Sequence, residues 1–572
     1  MPGQDQHDLV IRGALVVDGS GGEGRDADVA CRDGVISAIG PSSRDTGRGA
    51  TEIDGRGLCL APGFIDPHTH LDANLFWDPD LTPSSGYGVT TVVTGNCGYT
   101  LAPVDDATRD YVIDVMSTVE AIPREALIEG VPWDWSTLEE YFARLDRVSA
   151  LTNFATYAGH VAIRAAVLGA QDAHERVASP DEIAAIAAMV LRALELGAVG
   201  FSTDQVTDNV GPSGTRLPGQ VCGEDELLAI AAVLGQAHGP GIFAMAPAAL
   251  LASDRAVREA DLEWHLRLAG ASGRPVVVGP MFDTWADPGG GRDIIHASVT
   301  RSSAGARVIP QASTRPFELW TRLDAPGVLV RCLPTLARAV REGGANGVRA
   351  LAADDRARAD LRDEGDRIRS TPVFSGRWEH VAIRYSPTRP ELQGHSVREV
   401  ATDRGCHPID CLLDLALADN FETQVATAMA NADDDGMAAQ LREPGVMIGA
   451  SDAGAHVQFN TDSCYAVWTL QHWVREREVL SLERAIKMLT ADQADLFGFA
   501  DRGRIQRGLA ADLVLFDPDR VGTTGVRYVR DQPAGGTRLV TDAVGVTASV
   551  VNGVVATREG VPTGARPGHF LH

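Results

Sequence analysis

The sequence predicts an α/β protein in which a TIM-like (β/α)8 barrel carries a small β-sandwich domain formed by both termini. Two observations lead to this prediction. Through the middle of the 572-residue chain, short candidates for buried strands alternate with helical stretches or long loops, which is the order of a parallel barrel. At both ends, short strands and turns follow one another without helical periodicity.

Both chain ends have the sequence character of β-structure. Residues 8–60 contain the stretches DLVIRGALVVDG, DADVACRDGVISAIG and TEIDGRGLCLAPG, in which Val and Ile are punctuated by Gly and Asp. Residues 502–518 and 546–560 have the same character, and VNGVV places Asn-Gly between valines, a strong signal for a hairpin. We therefore assign residues 1–60 and 501–572 to one β-sandwich domain.

Eight apolar runs in the middle of the chain are the candidates for the barrel strands, numbered one to eight. In chain order they are Leu58–Ile65, Val89–Thr94, Asn153–Ala158, Val199–Thr203, Ile242–Ala246, Pro275–Gly279, Arg307–Gln311 and Val446–Ala450. Helices are predicted between them over 180–197 and 223–239, the second with acidic residues at its start and a glycine at its end. The barrel is predicted to span residues 61–500.

Residues 317–440, between strands seven and eight, are too many for a plain connection between a strand and a helix. They include the helical stretches LARAVREGG and CLLDLALADN. We expect this insertion to cover the barrel mouth as a lid. Its aromatic residues Phe317 and Trp320, together with Trp285, are expected to pack the lid on the barrel rather than to contact a ligand.

Composition narrows the classes of function. The net charge of −26 repels phosphate backbones, so no nucleic acid partner is expected. No run of eighteen apolar residues predicts a membrane span, and the N-terminus lacks the basic and apolar regions of a signal peptide. The eight cysteines are scattered without a paired framework, which favours the cytoplasm. A small-molecule substrate is expected, and homo-oligomer formation is left open.

Metal-binding residue types follow several of the predicted strands. In a (β/α)8 barrel the active site lies at the carboxyl ends of the strands, so residues directly after each strand are the candidates. In an extended segment, residues i and i+2 point to the same side, and strand one is followed by such a pair of histidines. Imidazole, thiolate and carboxylate are the ligands that zinc prefers. The candidates are His68, His70, Cys97, His160, Asp452 and His456.

Each candidate also has an ordinary structural explanation. Two histidines at a strand end can simply be solvated, and a cysteine such as Cys97 is more often a small buried hydrophobic residue. Asp452 could cap the helix that follows it. The barrel frame favours a metal site, because it brings the ends of all these strands to one rim.

Several motifs resemble those of the amidohydrolase superfamily. APGFIDPHTHLD is similar to its metal motif after strand one, GASDAGAH to its aspartate after strand eight, and RGRIQRGLAADLVLFDP with VVNGVV to its returning β-sandwich strands. Within the superfamily, GVTTVVTGNCGYTLAPV, AGHVAIR and GAVGFST resemble the N-acyl-D-amino-acid deacylase, or D-aminoacylase, branch. The resemblance covers nearly the whole chain.

The resemblance implies that Cys97 is a metal ligand, and it also shows where this chain departs from the family pattern. Many superfamily members bridge two metals with a carboxylated lysine, but the only lysine here, Lys487, lies well after strand eight. In the deacylase branch a cysteine after strand two takes the bridging place, where Cys97 stands. The family also has histidines at the ends of strands five and six, and this chain has neither. By position, His238, His265 and His296 are not natural replacements.

The expected metal ligands are His68, His70, Cys97 and Asp452, holding Zn²⁺, one ion per chain. Three ligands and a water make a catalytic zinc site, whereas four protein ligands close it. Asp452 is therefore expected to take a proton from the attacking water and to deliver it to the leaving nitrogen. His160 or His456 could stabilise the oxyanion, or could equally serve as structural histidines.

The predicted function is metal-dependent hydrolysis of an amide C–N bond in a small N-acyl amino acid. A D configuration is implied by the resemblance alone. Arg315, just past strand seven, could clamp a substrate carboxylate, and Gln311 in strand seven is a second candidate for substrate binding; Arg164, inside a helix, is a weaker one. Two alternatives are left open: a cyclic amide or imide hydrolase or a non-hydrolytic biosynthetic enzyme, and a metal-free binding or assembly protein.

Overall fold

A computed structural model describes residues 6–41, 46–369 and 374–572 of the chain. The architecture is α/β, with parallel strands and intervening helices in the middle and antiparallel β-structure formed by the two ends. Across these described ranges, every helix is too short or too polar to pass through a lipid bilayer.

The parallel strands occur close to the predicted positions. In chain order their bounds are Phe64–Asp66, Val89–Thr94, Asn153–Thr156 with Ala158–Gly159, Gly200–Asp204, Ile242–Ala246, Val276–Met281, Val308–Ser313 and Met447–Gly449. They keep the numbers one to eight, and strands two and five match the predicted bounds residue for residue. Almost all of their residues are buried, as expected for strands covered on both faces.

Pairing of these strands follows chain order. Strands one, two and three form one parallel sheet, and strand three continues through Ala158–Gly159 into a second sheet that runs through strands four, five, six, seven and eight. A parallel bridge also joins Thr69, after strand one, to Ala453, after strand eight. The carboxyl ends of strands one and eight therefore lie side by side.

The predicted first strand, Leu58–Ile65, is in fact two strands. Cys59–Pro62 pairs antiparallel with Leu513–Phe516 in the sheet of the chain ends, whereas Phe64–Asp66 pairs with strand two. Gly63 separates them, and a Cβ atom there would overlap the side chain of Thr90. A continuous apolar run hides this change of sheet, because both halves are fully buried.

Helices connect the parallel strands and pack outside them. The predicted helix at 180–197 is observed at Pro180–Glu195, with Ser179 and Glu182 forming a capping box, and the one at 223–239 is shorter, Glu224–Leu234. The other helices outside the insertion are Asn74–Trp77, Thr82–Ser85, Arg109–Val119, Arg124–Gly130, Leu138–Leu145, His160–Leu168, Asp172–Glu175, Pro218–Val221, Arg255–Ser272, Gly290–Arg301, Asp434–Arg442, Tyr465–Trp468, Leu482–Leu489 and Ala491–Phe497, with a π-helix at Thr469–Glu476.

Short 3-10 turns complete the helical structure. They lie at Asn96–Gly98, Pro212–Gly214, Trp378–His380, Pro390–Leu392, Asp462–Cys464 and Pro533–Gly535.

The insertion after strand seven is a small α/β unit with its own hydrophobic core. Its strands form an antiparallel sheet in the order Phe317–Thr321, Gln424–Ala430, Val381–Tyr385. Its helices are Val328–Arg331, Pro334–Ala353, Asp355–Arg367, Val397–Arg404 and Pro408–Ala418. Leu361, Trp378 and Leu412 belong to a buried cluster separate from the main core, so the insertion is a packed unit rather than an irregular loop.

The two ends of the chain share one sheet. Gln6–Val16 pairs with Arg25–Arg32, Arg48–Asp54 and Cys59–Pro62, and Cys59–Pro62 pairs with Leu513–Phe516 from the other end. Val35–Gly40, Val546–Val551, Val554–Arg558 and Val561–Pro562 complete this sheet, and the pairs Gly522–Thr523 with Ala543–Val544 and Arg527–Gln532 with Gly536–Val540 stand apart. The hairpin predicted at VNGVV is confirmed, with positive φ at Asn552 and Gly553.

Candidate metal centre

The two histidines after strand one are fixed from both sides by main-chain hydrogen bonds. The Thr69 N–H donates to the Val93 carbonyl of strand two at 3.1 Å, and the His70 N–H donates to the Ala453 carbonyl after strand eight at 2.8 Å. The centroids of the His68 and His70 rings are 5.6 Å apart. The extended segment therefore presents both imidazoles at one rim, as the spacing of two residues predicts.

Cys97 reaches the same place from a tight turn after strand two. It has φ of 55° between Gly95 and Gly98, which also have positive φ, a conformation that costs energy for a residue with a side chain. The Cys97 Sγ atom lies 3.4 Å from His68 Nε2. The ligand atoms of His68, His70 and Cys97 all lie within 4.8 Å of one another.

Asp452 joins these three side chains from the loop after strand eight. Its Oδ1 atom lies 3.3 Å from His68 Nε2 and 3.8 Å from His70 Nε2. Asp452 has φ of 48°, in a segment where Ala450 also has positive φ. The Ser451 hydroxyl donates to Asp66 at 2.7 Å, which holds this strained loop against the end of strand one.

Glu120 is a further carboxylate at the centre, and its sequence position does not predict this. It lies directly after the helix Arg109–Val119 rather than after a strand, so no motif identifies it. Its Oε2 atom is 3.6 Å from His70 Nε2 and 3.6 Å from His456 Nε2. Its carbonyl also accepts a hydrogen bond from the His456 N–H at 2.6 Å.

The spacing of these donor atoms fits a bound cation. Two donors held at about 2.1 Å from one tetrahedral ion lie about 3.4 Å apart, close to the 3.3–3.8 Å that separates the imidazole nitrogens from the two carboxylates. Hydrogen bonds would be shorter, at 2.7–3.2 Å. The donor set of imidazole, thiol and carboxylate is also the one that zinc prefers.

Electrostatics at the centre also favours a cation. Burial, together with repulsion from Asp452 and Asp204, raises the pKa of Glu120 well above its usual range. Burial lowers the pKa of His70 and of His456, which disfavours a positive charge on these two imidazoles. Buried carboxylates are stable as anions when they are paired or bind a metal.

Gln311, predicted to bind substrate, contacts His68, one of the candidate metal ligands. Its Oε1 atom is 2.8 Å from His68 Nδ1. An amide oxygen only accepts hydrogen bonds, so this contact places the proton on Nδ1 and leaves Nε2 free to bind an ion. Gln311 is 2% exposed, which supports a role behind the metal ligand.

Replacing Gln311 by Leu tests this role. The variant is expected to bind zinc about 10- to 100-fold more weakly than the wild type, because His68 loses the acceptor that fixes its tautomer and orientation. Competition with a chromogenic chelator measures the affinity. Gln311→Glu serves as the control, since its carboxylate still accepts from Nδ1 and should keep wild-type affinity or exceed it.

His160 is placed in a separate buried cluster. Its Nδ1 atom is 2.8 Å from Thr203 Oγ1 and its Nε2 atom is 2.8 Å from Glu226 Oε1. Arg164 Nε is 3.1 Å from the same Glu226 oxygen, and the Arg164 guanidinium donates to two carbonyls. The ligand atoms of Cys222, His160 and Glu226 lie within 4.8 Å of one another, but the Arg164 guanidinium already offsets the charge of the Glu226 carboxylate. These contacts favour the structural alternative for His160.

His456 lies at the edge of the centre with one free ring nitrogen. Its Nε2 atom faces Glu120, and its Nδ1 atom is buried with no hydrogen-bond partner among the described residues. The His456 main chain has φ of 52° and its ring lies 5.3 Å from that of Phe459. Its candidate role as an oxyanion donor stays a prediction.

The guanidinium of Arg315 already has partners. Its Nε atom is 2.9 Å from Asp462 Oδ1, its Nη1 atom is 2.7 Å from the Cys464 sulfur, and its Cζ atom lies 4.7 Å from the centre of the Trp468 ring. Burial raises the pKa of Asp462 to about 6, although Arg315 opposes this shift. A substrate carboxylate would therefore share Arg315 with Asp462.

The histidines considered as replacements after strands five and six lie elsewhere. His265 Nε2 is 3.5 Å from Asp261 within the helix Arg255–Ser272, and His296 Nδ1 is 3.0 Å from Glu443. Neither pairs with a residue of the metal centre, as their sequence positions predict.

Comparison with known proteins finds relatives over nearly the full length of the chain. A model of the amidohydrolase family matches residues 51–556. An uncharacterized protein of Mycobacterium tuberculosis (strain ATCC 25618 / H37Rv) is 31% identical over 588 residues, which cover 97% of this chain and 92% of the relative. D-aminoacylase of Alcaligenes xylosoxydans xylosoxydans is 28% identical, over 99% of this chain and 97% of the relative.

A solved structure is similar in fold over the same length. It is N-acyl-D-glutamate deacylase from Bordetella bronchiseptica, complexed with zinc and a phosphonate inhibitor that mimics the tetrahedral intermediate. The TM-score is 0.65, with 26% identity and 99% of both chains covered. The similarity thus includes every segment that contributes a side chain to the centre.

Proposed function

The chain belongs to the amidohydrolase family, and from that premise we propose that it hydrolyses the amide bond of a small N-acyl amino acid of D configuration. The observation that carries the proposal is the grouping of His68, His70 and Cys97 with the Asp452 carboxylate against both imidazoles. The D-aminoacylase and N-acyl-D-glutamate deacylase relatives support the substrate class.

We propose that the eight parallel strands close into a (β/α)8 barrel. The bridge between Thr69 and Ala453 supports closure, because it joins the segment after the first strand to the segment after the last. In this proposal the barrel spans residues 61–500, the insertion at 317–440 covers its mouth, and residues 1–60 and 501–572 form the β domain. We also place the protein in the cytoplasm, acting on a small molecule, with homo-oligomer formation left open.

We propose one zinc ion per chain, held by His68, His70 and Cys97, with Asp452 beside it. A thiolate ligand favours zinc over harder cations. When bound, zinc supplies a Lewis acid that polarises the scissile carbonyl and acidifies the attacking water. The side chains that hold it are oriented by their neighbours, as Gln311 orients His68.

Asp452 is the proposed general acid and base. Its carboxylate lies between the two imidazoles, where it can take the proton of the attacking water at Oδ1 and then deliver it to the leaving nitrogen. That transfer restores the carboxylate and releases the amine and the carboxylic acid. His456 is placed to donate to the developing oxyanion, and His160 acts as a positioning residue in this proposal.

Charge at the site favours substrates with a neutral amino-acid side chain. Burial, together with repulsion from Asp452 and Asp204, raises the pKa of Glu120, and an anionic substituent would add to that repulsion. Arg315 is the candidate for the α-carboxylate, although Asp462 already offsets part of its charge. Arg315 can hold the α-carboxylate, and a second carboxylate on the substrate would need a further cationic group.

A metal assay followed by a substrate screen tests the proposed function. Elemental analysis of the purified protein is expected to give about one zinc per chain, and chelation should abolish activity. N-acetyl-D-leucine and N-acetyl-D-methionine should be hydrolysed faster than N-acetyl-D-glutamate and faster than the L enantiomers. Turnover of hydantoins or other cyclic imides in place of the linear amides would favour the cyclic amide alternative. Full folding without any bound metal and no hydrolysis would favour the binding-protein alternative.

A further inference from the structure

Glu120 occupies the metal centre without the partners that a buried carboxylate normally has. Its side chain is 5% exposed. Within the described ranges of the chain, no donor forms a hydrogen bond with this carboxylate, and its nearest partners are the Nε2 atoms of His70 and His456 at 3.6 Å. Burying an anion with neither a hydrogen bond nor a cation is costly.

Asp204, Asp66 and Asp72, other buried acids around the centre, each accept at least one hydrogen bond. Asp204 accepts hydrogen bonds from the Tyr99 hydroxyl at 2.6 Å, the Asn209 amide at 2.7 Å and the Val206 N–H at 2.8 Å. Asp66 accepts from Ser451 at 2.7 Å. Glu120 and Asp452 differ from these, because among the described residues neither carboxylate accepts a hydrogen bond and the imidazole nitrogens beside them lie at 3.3–3.8 Å.

The main chain fixes Glu120 in this position. The Glu120 N–H closes the helix Arg109–Val119 on the Met116 carbonyl at 3.1 Å, and the next residue, Ala121, has φ of 52°. The Glu120 carbonyl accepts from the His456 N–H. The carboxylate is thus held against the centre from the helix end on one side and from the loop after strand eight on the other.

We propose that Glu120 is a ligand of the cation bound at this centre. The connection after strand two supplies this ligand, and strands five and six carry no histidine at their ends that could do so. The assignment rests on the proposed function, because it takes the centre to bind a metal. The carboxylate would meet the cation beside His70, at the separation that two donors to one ion have. His456 then does not need to bind the ion itself.

Glu120→Gln tests the assignment by direct measurement of metal binding. The zinc dissociation constant of the variant is expected to rise at least about 100-fold, beyond the 10- to 100-fold range typical of residues outside the ligand shell. The visible spectrum of the Co²⁺-loaded protein should change as well, since it depends on the number and type of ligands. Asp204→Asn is the matched control, because it also replaces a nearby buried carboxylate by an amide, but one that already accepts hydrogen bonds. This variant should weaken zinc binding about tenfold or less.

Thermal unfolding separates a lost ligand from a misfolded variant. Metal-free Glu120→Gln should unfold at or above the temperature of the metal-free wild type, because the exchange breaks no hydrogen bond of the Glu120 carboxyl group. Its increase in unfolding temperature on adding zinc should be smaller. A Glu120→Gln variant with wild-type zinc affinity and an unchanged Co²⁺ spectrum would overturn the assignment while leaving the proposed function intact. Absence of stoichiometric metal from the wild type would instead overturn the proposed function.

Discussion

Replacing Asp452 by Asn is expected to lower kcat by about 10²- to 10⁴-fold, the usual contribution of a positioned general acid and base. Asparagine has nearly the shape of aspartate, so the loop after strand eight and its contacts with His68 and His70 should persist. The amide cannot take a proton from the attacking water or return one to the leaving nitrogen. Steady-state kinetics with an N-acyl-D-amino acid, with metal content measured on the same sample, provides the test.

Two measurements make this expectation specific. Zinc should remain bound to Asp452→Asn, because His68, His70 and Cys97 are intact. Asp462→Asn is the control: this buried aspartate pairs with Arg315, so its loss should change KM and leave kcat within a few-fold. Retention of more than a tenth of kcat by metal-loaded Asp452→Asn would contradict the assignment.

Much of the candidate centre follows from sequence, because the proposed ligands lie at strand ends. His68, His70, Cys97 and Asp452 each follow a parallel strand directly, and parallel strands align their carboxyl ends at one edge. A short buried run therefore fixes where such a side chain lies in space, even when the residues are hundreds apart in the chain. The structure brings together the four residues selected in this way.

Other residues at or near the centre do not gain their contacts from a position at a strand end, and the sequence did not predict those contacts. Glu120 ends a helix in a connecting segment, and the path of a connection is set by packing that spacing does not encode. Gln311 lies inside strand seven, where alternation places its side chain but does not reveal its partner, His68. Arg315 follows strand seven as predicted, but its pairing with Asp462 depends on a loop more than 140 residues later.

Two features of the fold also could not be predicted from the hydrophobic pattern of the sequence. The apolar run Leu58–Ile65 belongs to two sheets, and only the lack of space for a side chain at Gly63 marks the change. The insertion after strand seven has a separate core built from residues such as Leu361 and Leu412. Hydrophobic periodicity identifies buried faces but does not state which core they enter.

Replacing Glu226 by Gln is expected to destabilise the protein by about 3–5 kcal/mol, because it leaves the buried guanidinium of Arg164 without its counter-charge. Both side chains are 0% exposed and lie 3.1 Å apart. Glutamine retains an oxygen that can accept from His160, so the change removes charge more than packing. Urea unfolding followed by circular dichroism, with the metal held constant, measures the difference in the free energy of unfolding.

An exposed pair of the same residue types is the matched control. Arg192 and Glu139 lie 2.7 Å apart with their side chains 45% and 51% exposed, so Glu139→Gln should cost no more than about 1 kcal/mol. The double variant Arg164→Met with Glu226→Met should recover much of the loss, because removing both charges leaves no unpaired ion. Below its unfolding transition, Glu226→Gln should keep kcat within a few-fold if His160 is a positioning residue. A large loss of kcat in the folded variant with its zinc bound would instead indicate that His160 contacts the reacting atoms.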